Sequence, residues 1–553
     1  MSELQRILAL PRRSLDPVWL EELAAEMTKQ LKTPEGTQKL RPVQALALYD
    51  IATLGGCFGA IQVGGGKSLL SLMAPTVLDS KRAVLLIPAS LVVKTERDRQ
   101  EYAKHWQVSR GLRLMSYEML GRVSNAQTLD SWAPNLIVCD EQHRIKNLRA
   151  ACTRRVARYM DSHPDTRFVG MSGTIVKHSI KDYAHLVGWS LKQGSPLPLK
   201  KDDIEEWAKI LDDDGDFMKP KKGTILDGLG LPLQEGYRKR LSETPGVVIS
   251  VGKGGCDASL LVRGAEYQVN AATEENFRVL RSTWCLPTGE ALSEAVAVWR
   301  HARELALGLH YRWDPPGPEE WLMARSAWAK YVRGVLQRSR TYDSEMQVAL
   351  AVKDGALQDP MGVYATWREV RETFTPNPIP VWHDDSALNA AQGWGEHAPG
   401  IIWSSHSFFG KELARRMGAP YYGQGGLSED GTDIATEDGK RTIVASMQAN
   451  GTGRNLQIFF RNLVCAAPSG ADQFEQLLGR THREGQTADE VTYDIMLGCK
   501  ESLLSLKSAK AGARMIEATT GLSQKLLLCD WDVDDEEDHN RPGWRWRNQE
   551  EDT

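Results

Sequence analysis

The 553-residue chain is 41% hydrophobic and 25% charged, an ordinary globular composition with room for about three or four domains. Its eight cysteines, at 57, 139, 152, 256, 285, 465, 499 and 529, form no CxxC pair and no grouping with histidine, which excludes a disulfide scaffold or zinc module; no run approaches a membrane span, and the opening "MSELQRILALPRRSLDP" lacks the order of a signal peptide, so a reduced cytoplasmic protein with no membrane partner is expected. The net charge of -4 is uneven, since the last 24 residues hold ten acids and three arginines and residues 1–529 carry about +3; the acidic total therefore does not exclude a polyanion ligand.

Residues 1–36 read as an N-terminal helical segment. Over 37–195 the short apolar runs "CFGAIQV", "AVLLIP", "NLIVCD" and "RFVGMS" alternate with amphipathic stretches, the pattern of buried parallel strands with helices between them. Residues 196–396 differ in kind: "EALSEAVAVWRHARELALGLHYRW" and "EEWLMARSAWAKYVRGVLQRSR" have helical spacing and many tryptophans, broken by turns such as "DPPGPEE", and predict a mostly helical insertion and linker. The strand pattern returns over 397–515 in "GIIWSS", "TIVASM", "NLVCAA" and "VTYDIML", and 516–553 is a C-terminal segment ending in the acidic tail. The expected fold is α/β, with two parallel-sheet domains and a helical insertion between them.

In "CFGAIQVGGGKSLLSLMAP" an apolar run leads into Gly64, Gly65, Gly66, Lys67 and Ser68 and then a helical pattern. Consecutive glycines let backbone N–H groups close around phosphate oxygens, the helix N-terminus adds positive potential, Lys67 can reach the β- and γ-phosphates, and Ser68 can ligate magnesium. Position 61 is Ile where the full pattern has Gly. Such a loop requires a metal-binding acid at the end of a neighbouring strand, and "NLIVCDEQHRIKN" supplies Asp140 for Mg²⁺ and Glu141 to orient and deprotonate the attacking water. The cofactors expected are ATP and Mg²⁺.

These pieces, together with "LRPVQ", "LLIPASLV", "SYEML", "MSGT", "IIWSSHSFF", "ANGTGRNL" and "QLLGRTHREGQ" in that order, resemble a superfamily 2 nucleic-acid-dependent ATPase, most closely the Swi/Snf-type double-stranded DNA translocases. The resemblance implies two RecA-like domains. It implies that Arg41 and Gln44 read adenine, that His143 couples the nucleotide to Ser172 and Thr174, and that Gly451, Thr452 and Gly453 line the cleft. Arg480 and Arg483 become arginine fingers to the γ-phosphate, with Gln476 in the same catalytic motif; the other reading of this Arg-rich turn is a solvated surface. Ile61-Gln62, Gln142, Asn450, Arg454 and Gly479 depart from the family's usual residues.

The implied partner is DNA, double-stranded or branched, gripped mostly through phosphates. Ser90, Tyr117, Ser404, Ser405 and Thr452 match the family's DNA-facing segments; the other reading of Ser90, Tyr117, Ser404 and Ser405 is an ordinary loop or cap residue. Arg154, Arg155 and Arg158 of "TRRVARYM" are expected on a solvated face, and the aromatics of "WLMARSAWAKYV" in the insertion's core. The acidic tail is expected to be disordered, either a hook for a protein partner or a brake that competes with DNA. The function expected is an ATP-dependent translocase of DNA replication, recombination or repair, a stand-alone enzyme of a bacterium or its virus. The alternatives are a strand-separating or branch-migrating helicase and a nucleotide-switched clamp without net motion.

Overall fold

The computed structural model describes residues 2–532 except 63, 149, 174–178, 212–227, 230–232, 251–255, 257, 266, 288, 290, 291, 293, 294, 339, 340, 360 and 452. Thr174, Thr452 and tail residues 533–553, on which expectations were placed, thus lie outside the described residues, as does the side chain of Ser90. Among the described residues no helix is long and apolar enough to cross a membrane.

Every apolar run singled out in the sequence forms a strand, because each is buried on both faces and can satisfy its backbone only by pairing with neighbours. The first sheet has six strands, all parallel, in the order Leu112–Ser116, Ala83–Ile87, Leu136–Asp140, Arg167–Ser172, Cys57–Ala60 and Val247–Ile249. The second has seven, also all parallel, in the order Tyr421–Tyr422, Ile443–Ser446, Ile401–Ser404, Arg461–Val464, Glu490–Met496, Ser259–Ala265 and Asp530–Asp532. The protein is therefore α/β with two parallel sheets.

The described part of the chain divides into two compact units, one built from residues up to 250 with 315–377 and 512–524, the other from 256–314, 378–511 and 525–532. The stretch expected as a helical insertion, 196–396, is accordingly not a single body: Val247–Ile249 joins the first sheet beside Cys57–Ala60, and Ser259–Ala265 joins the second beside Glu490–Met496. Its helices are divided as well: Lys201–Leu211 and Leu233–Ser242 fall in the first unit, Ala271–Thr283, Ala295–Ala306 and Ser386–His397 in the second, and over 315–377 the first unit holds three more, Glu319–Arg338, Glu345–Lys353 and Val363–Val370. Their shared core is aromatic, as expected from the spacing: Trp328 stacks on Tyr331 at 5.5 Å and Trp321 meets Phe374 edge-on at 5.2 Å.

These three helices belong to the first unit, and the arginines of "TRRVARYM" hold them there. Arg155 is 2% exposed rather than solvated. Its Nη2 and Nε donate to the Asp343 carboxylate at 3.0 and 3.2 Å, and Arg158 Nη2 reaches the same group at 3.1 Å. Arg154 donates at 2.6 Å to the carbonyl of Tyr342. Burial opposes the charge on Asp343, but the two guanidiniums outweigh it and leave the carboxyl below its ordinary range. Truncating one member of a buried ion pair strands the other, so Asp343→Ala is expected to destabilise the first unit by about 3–5 kcal/mol. The double change Arg155→Met, Asp343→Leu, which strands no buried charge because the Arg158 side chain is 38% exposed, should cost much less. Urea unfolding followed by tryptophan fluorescence checks the difference; equal losses would show that packing, not the uncompensated charge, sets the cost.

Candidate nucleotide site and arginine turn

In the first unit the strands ending at Asp140, Ser172 and Ala60 lie side by side, with Asp140 paired to Met171 and Ala60 to Ser172. Their carboxyl ends, where open parallel sheets place ligands, therefore carry the acid pair, a serine and the glycine loop in adjacent positions.

The loop's geometry explains its composition. Gly64 and Gly66 adopt positive φ values of 87° and 84°, a conformation that glycine tolerates at little cost. A side chain at Gly66 would strike Gln44 Nε2 at 1.9 Å, and one at Gly65 would meet Ile61 Cγ2 at 2.5 Å. The helix Lys67–Val77 starts immediately after, and the first-turn N–H groups of a helix lack intrahelical acceptors. Lys67 Nζ donates to the Ile61 carbonyl at 3.1 Å and to that of Gln62 at 3.4 Å, and the helix places Ser68 one residue further on. The departure at positions 61 and 62 is absorbed because the loop uses their carbonyls, while the Ile61 side chain is fully buried in the core beneath. Arg41 and Gln44 brace the loop directly: Arg41 Nη1 donates to the Gly64 carbonyl at 3.1 Å and Gln44 Nε2 to that of Gly65 at 3.3 Å.

Asp140 is 6% exposed. Burial, then the adjacent Glu141 carboxylate, push its pKa up to about 6, against the pull of Lys67. Two acids held together at low dielectric are a donor set that a divalent cation relieves; with the glycine loop and Lys67, the residues fit a magnesium nucleotide. Glu141 follows with a left-handed backbone, φ 57° and ψ 51°, which costs a non-glycine residue about 1–2 kcal/mol and lasts only where the surroundings fix it. They do so here. The Glu141 N–H donates to Asp140 Oδ1 at 3.1 Å, and the Ser172 hydroxyl donates to Glu141 Oε2 at 3.3 Å. His143 Nδ1 lies 2.9 Å from Ser172 Oγ and 3.4 Å from Glu141 Oε2. Gln142, the departure between them, is buried against Gly170, where a Cβ would sit 2.0 Å from its Oε1, so any larger residue at 170 would have to displace the Gln142 side chain.

In the second unit every residue of the helix Ala471–Thr481 except Gln473 is buried, Gln476 and Arg480 included. Arg480 is 4% exposed. Its Nε donates to the Gln476 carbonyl at 2.7 Å and its Nη1 to that of Arg454 at 3.1 Å. Arg483 is half-buried, donates to the same Arg454 carbonyl at 3.5 Å and also reaches Asn455 Oδ1. The three-residue spacing thus brings both guanidiniums to one backbone oxygen in the "NGTGRN" loop, and Arg480 is not part of a solvated surface turn. In that loop Gly453 takes a φ of 73°, and a side chain at Gly451 would meet the Met447 carbonyl at 2.4 Å. The unusual residues are structural pins: Asn450 donates to the Tyr422 carbonyl at 2.9 Å, and Arg454 pairs with Asp433 at 3.1 Å.

Two residues expected to face DNA do not face solvent. Tyr117 is 4% exposed and donates its hydroxyl to the Asp140 carbonyl at 2.7 Å. Ser404 is 1% exposed, and its hydroxyl serves a local turn, accepting from the His406 N–H at 3.2 Å and donating to the His406 carbonyl at 2.8 Å. Both sit where a strand ends and a buried polar group needs a partner. Ser405 is half-buried, with its carbonyl taking Gln448 Nε2 at 2.6 Å. Ser250, not singled out in the sequence, accepts the Gln62 N–H at 2.9 Å and so steadies the glycine loop from 188 residues away; nothing local marks it.

Compared with models of protein families and with curated proteins, the chain matches none.

Proposed function

We propose that this protein is a magnesium-dependent ATP hydrolase with two RecA-like domains that couples turnover to movement along duplex DNA. What carries the reading is the first unit's site: a glycine loop with a buried lysine, beside an acid pair whose second carboxylate is held by Ser172 and His143. Asp140 and Ser68 would hold the magnesium, which when bound neutralises charge on the β- and γ-phosphates. Lys67 and the first-turn N–H groups bind those phosphates. Glu141 orients water and takes its proton as the water oxygen attacks the γ-phosphorus and the bond to the bridging oxygen breaks, giving ADP and phosphate. Arg480 and Arg483 supply planar cations to the γ-phosphate in the transition state.

As the resemblance to translocases implies, a conformational step repeated at each turnover displaces the DNA strand that the protein holds. DNA enters through the resemblance and through the mildly basic body, +3 over residues 1–529. The test is ATP turnover without nucleic acid and with single-stranded DNA, duplex DNA, forked DNA and RNA side by side. Duplex stimulation is expected. Preference for forks would instead favour strand separation, and indifference to every nucleic acid would sink the translocase reading.

A further inference from the structure

Residues 117 and 118 join three loops that sequence alone leaves separate. The strand Leu112–Ser116 lies at the edge of the first sheet, and Ala83–Ile87 separates it from Leu136–Asp140. Tyr117 nevertheless reaches past the end of that intervening strand, a span of roughly two strand spacings or ~10 Å, to donate to the Asp140 carbonyl at 2.7 Å. Glu118 catches what lies between: Oε2 accepts the Ala89 N–H at 2.9 Å, and Oε1 accepts Arg144 Nη2 at 3.1 Å. The Ser116 hydroxyl caps the turn by accepting the Met119 N–H at 2.9 Å. One dipeptide therefore ties the turn after Ile87, the short helix after Ser116 and the segment after Asp140.

The two contacts differ in stiffness. Glu118 and Arg144 are both about half exposed, at 47% each, so water and salt weaken their attraction. The Tyr117 bond is buried, and burial first, with Cys139 and Asp140 adding to it, holds the phenol pKa well above its ordinary value, so the group stays a donor. Its acceptor immediately precedes the left-handed Glu141, the residue whose conformation the surroundings must maintain.

We propose that Tyr117 and Glu118 are positioning residues that fix the Asp140–Glu141 turn relative to the Ala89–Leu91 turn, so that a load on the outer loops reaches the acid pair through one hydroxyl and one carboxylate. The catalytic half of this inference rests on the ATPase reading above; the mechanical half does not.

Tyr117→Phe removes only the hydroxyl. In the full-length protein without nucleotide, amide hydrogen exchange should quicken in peptides covering 140–146 while the thermal midpoint stays near wild type. Turnover with duplex DNA should fall by ~3- to 10-fold, the rate equivalent of one neutral hydrogen bond, with KM for ATP unchanged. Glu118→Ala, which leaves the buried core intact, should quicken exchange over 89–92 and 140–146 and lower turnover in the same direction. Wild-type exchange at 140–146 in both variants would overturn the proposal, as would a loss of turnover that tracks a lowered thermal midpoint. A wild-type protein that hydrolyses no ATP overturns the functional reading instead, and the exchange data still decide the strut.

Discussion

Lys67→Ala and Glu141→Gln are both expected to abolish useful turnover, and to differ in what they leave behind. Loss of a general base typically costs about 10²–10⁴-fold, and Glu141→Gln should fall in that range while still holding ATP, because in the proposed mechanism the carboxylate acts on water rather than on the nucleotide. Its backbone should also survive. Glutamine can still accept the Ser172 hydroxyl that now meets Glu141 Oε2 at 3.3 Å, and it pays no more than glutamate for the left-handed conformation. Lys67 differs on both counts. It loses a charge-assisted contact worth ~1.5–3 kcal/mol, or about 10- to 100-fold in nucleotide affinity, and it releases the Ile61 and Gln62 carbonyls that its ammonium now holds at 3.1 and 3.4 Å. Equilibrium titration with a fluorescent ATP analogue, run beside turnover, separates the two. Equal loss of binding in both variants would overturn the role given to Glu141.

The parts of this architecture that were legible in the sequence are those whose determinants are contiguous. The glycine loop declares itself through its own glycines, Lys67 and the helix that follows, all within residues 57–77, although Arg41, Gln44 and Ser250 brace it from outside that stretch; the eight strands named from sequence are likewise apolar runs that declare themselves. Leu112–Ser116 escaped because Arg113 interrupts its run on an edge strand where that side chain is exposed. Val247–Ile249 and Ser259–Ala265 escaped for a different reason. They are strands because Phe58 and Val491 lie beside Val247 and Leu260, partners roughly 190 and 230 residues distant, and nothing in the intervening sequence announces them. The same limit misplaced the arginines of "TRRVARYM". An arginine-rich helix looks solvated until Asp343 arrives from 188 residues away to neutralise Arg155. Tyr117 and Ser404 show the converse, since sequence does not tell a polar residue that faces outward from one whose hydroxyl serves the strand end itself, and here both hydroxyls do the latter.

Arg480→Ala and Arg483→Ala should each lower turnover by about three to five orders of magnitude, the range of an arginine finger, while DNA affinity changes little. The structure adds a distinction between them. Arg480 also pins its own helix to the Arg454 carbonyl from a site 4% exposed, so part of its loss could be positional, whereas half-buried Arg483 leaves less behind when truncated. Lysine replacements separate the two contributions. Lysine keeps a charge but not the planar fork of donors, so Arg483→Lys should recover part of the rate if charge at the γ-phosphate dominates, and Arg480→Lys should recover less because the bonds to the Gln476 and Arg454 carbonyls use Nε and Nη1 together. Turnover at saturating ATP and duplex DNA, read beside fluorescence anisotropy for DNA and the thermal midpoint, decides it. Near wild-type turnover in both alanine variants would leave these arginines as pins of the "NGTGRN" loop and nothing more.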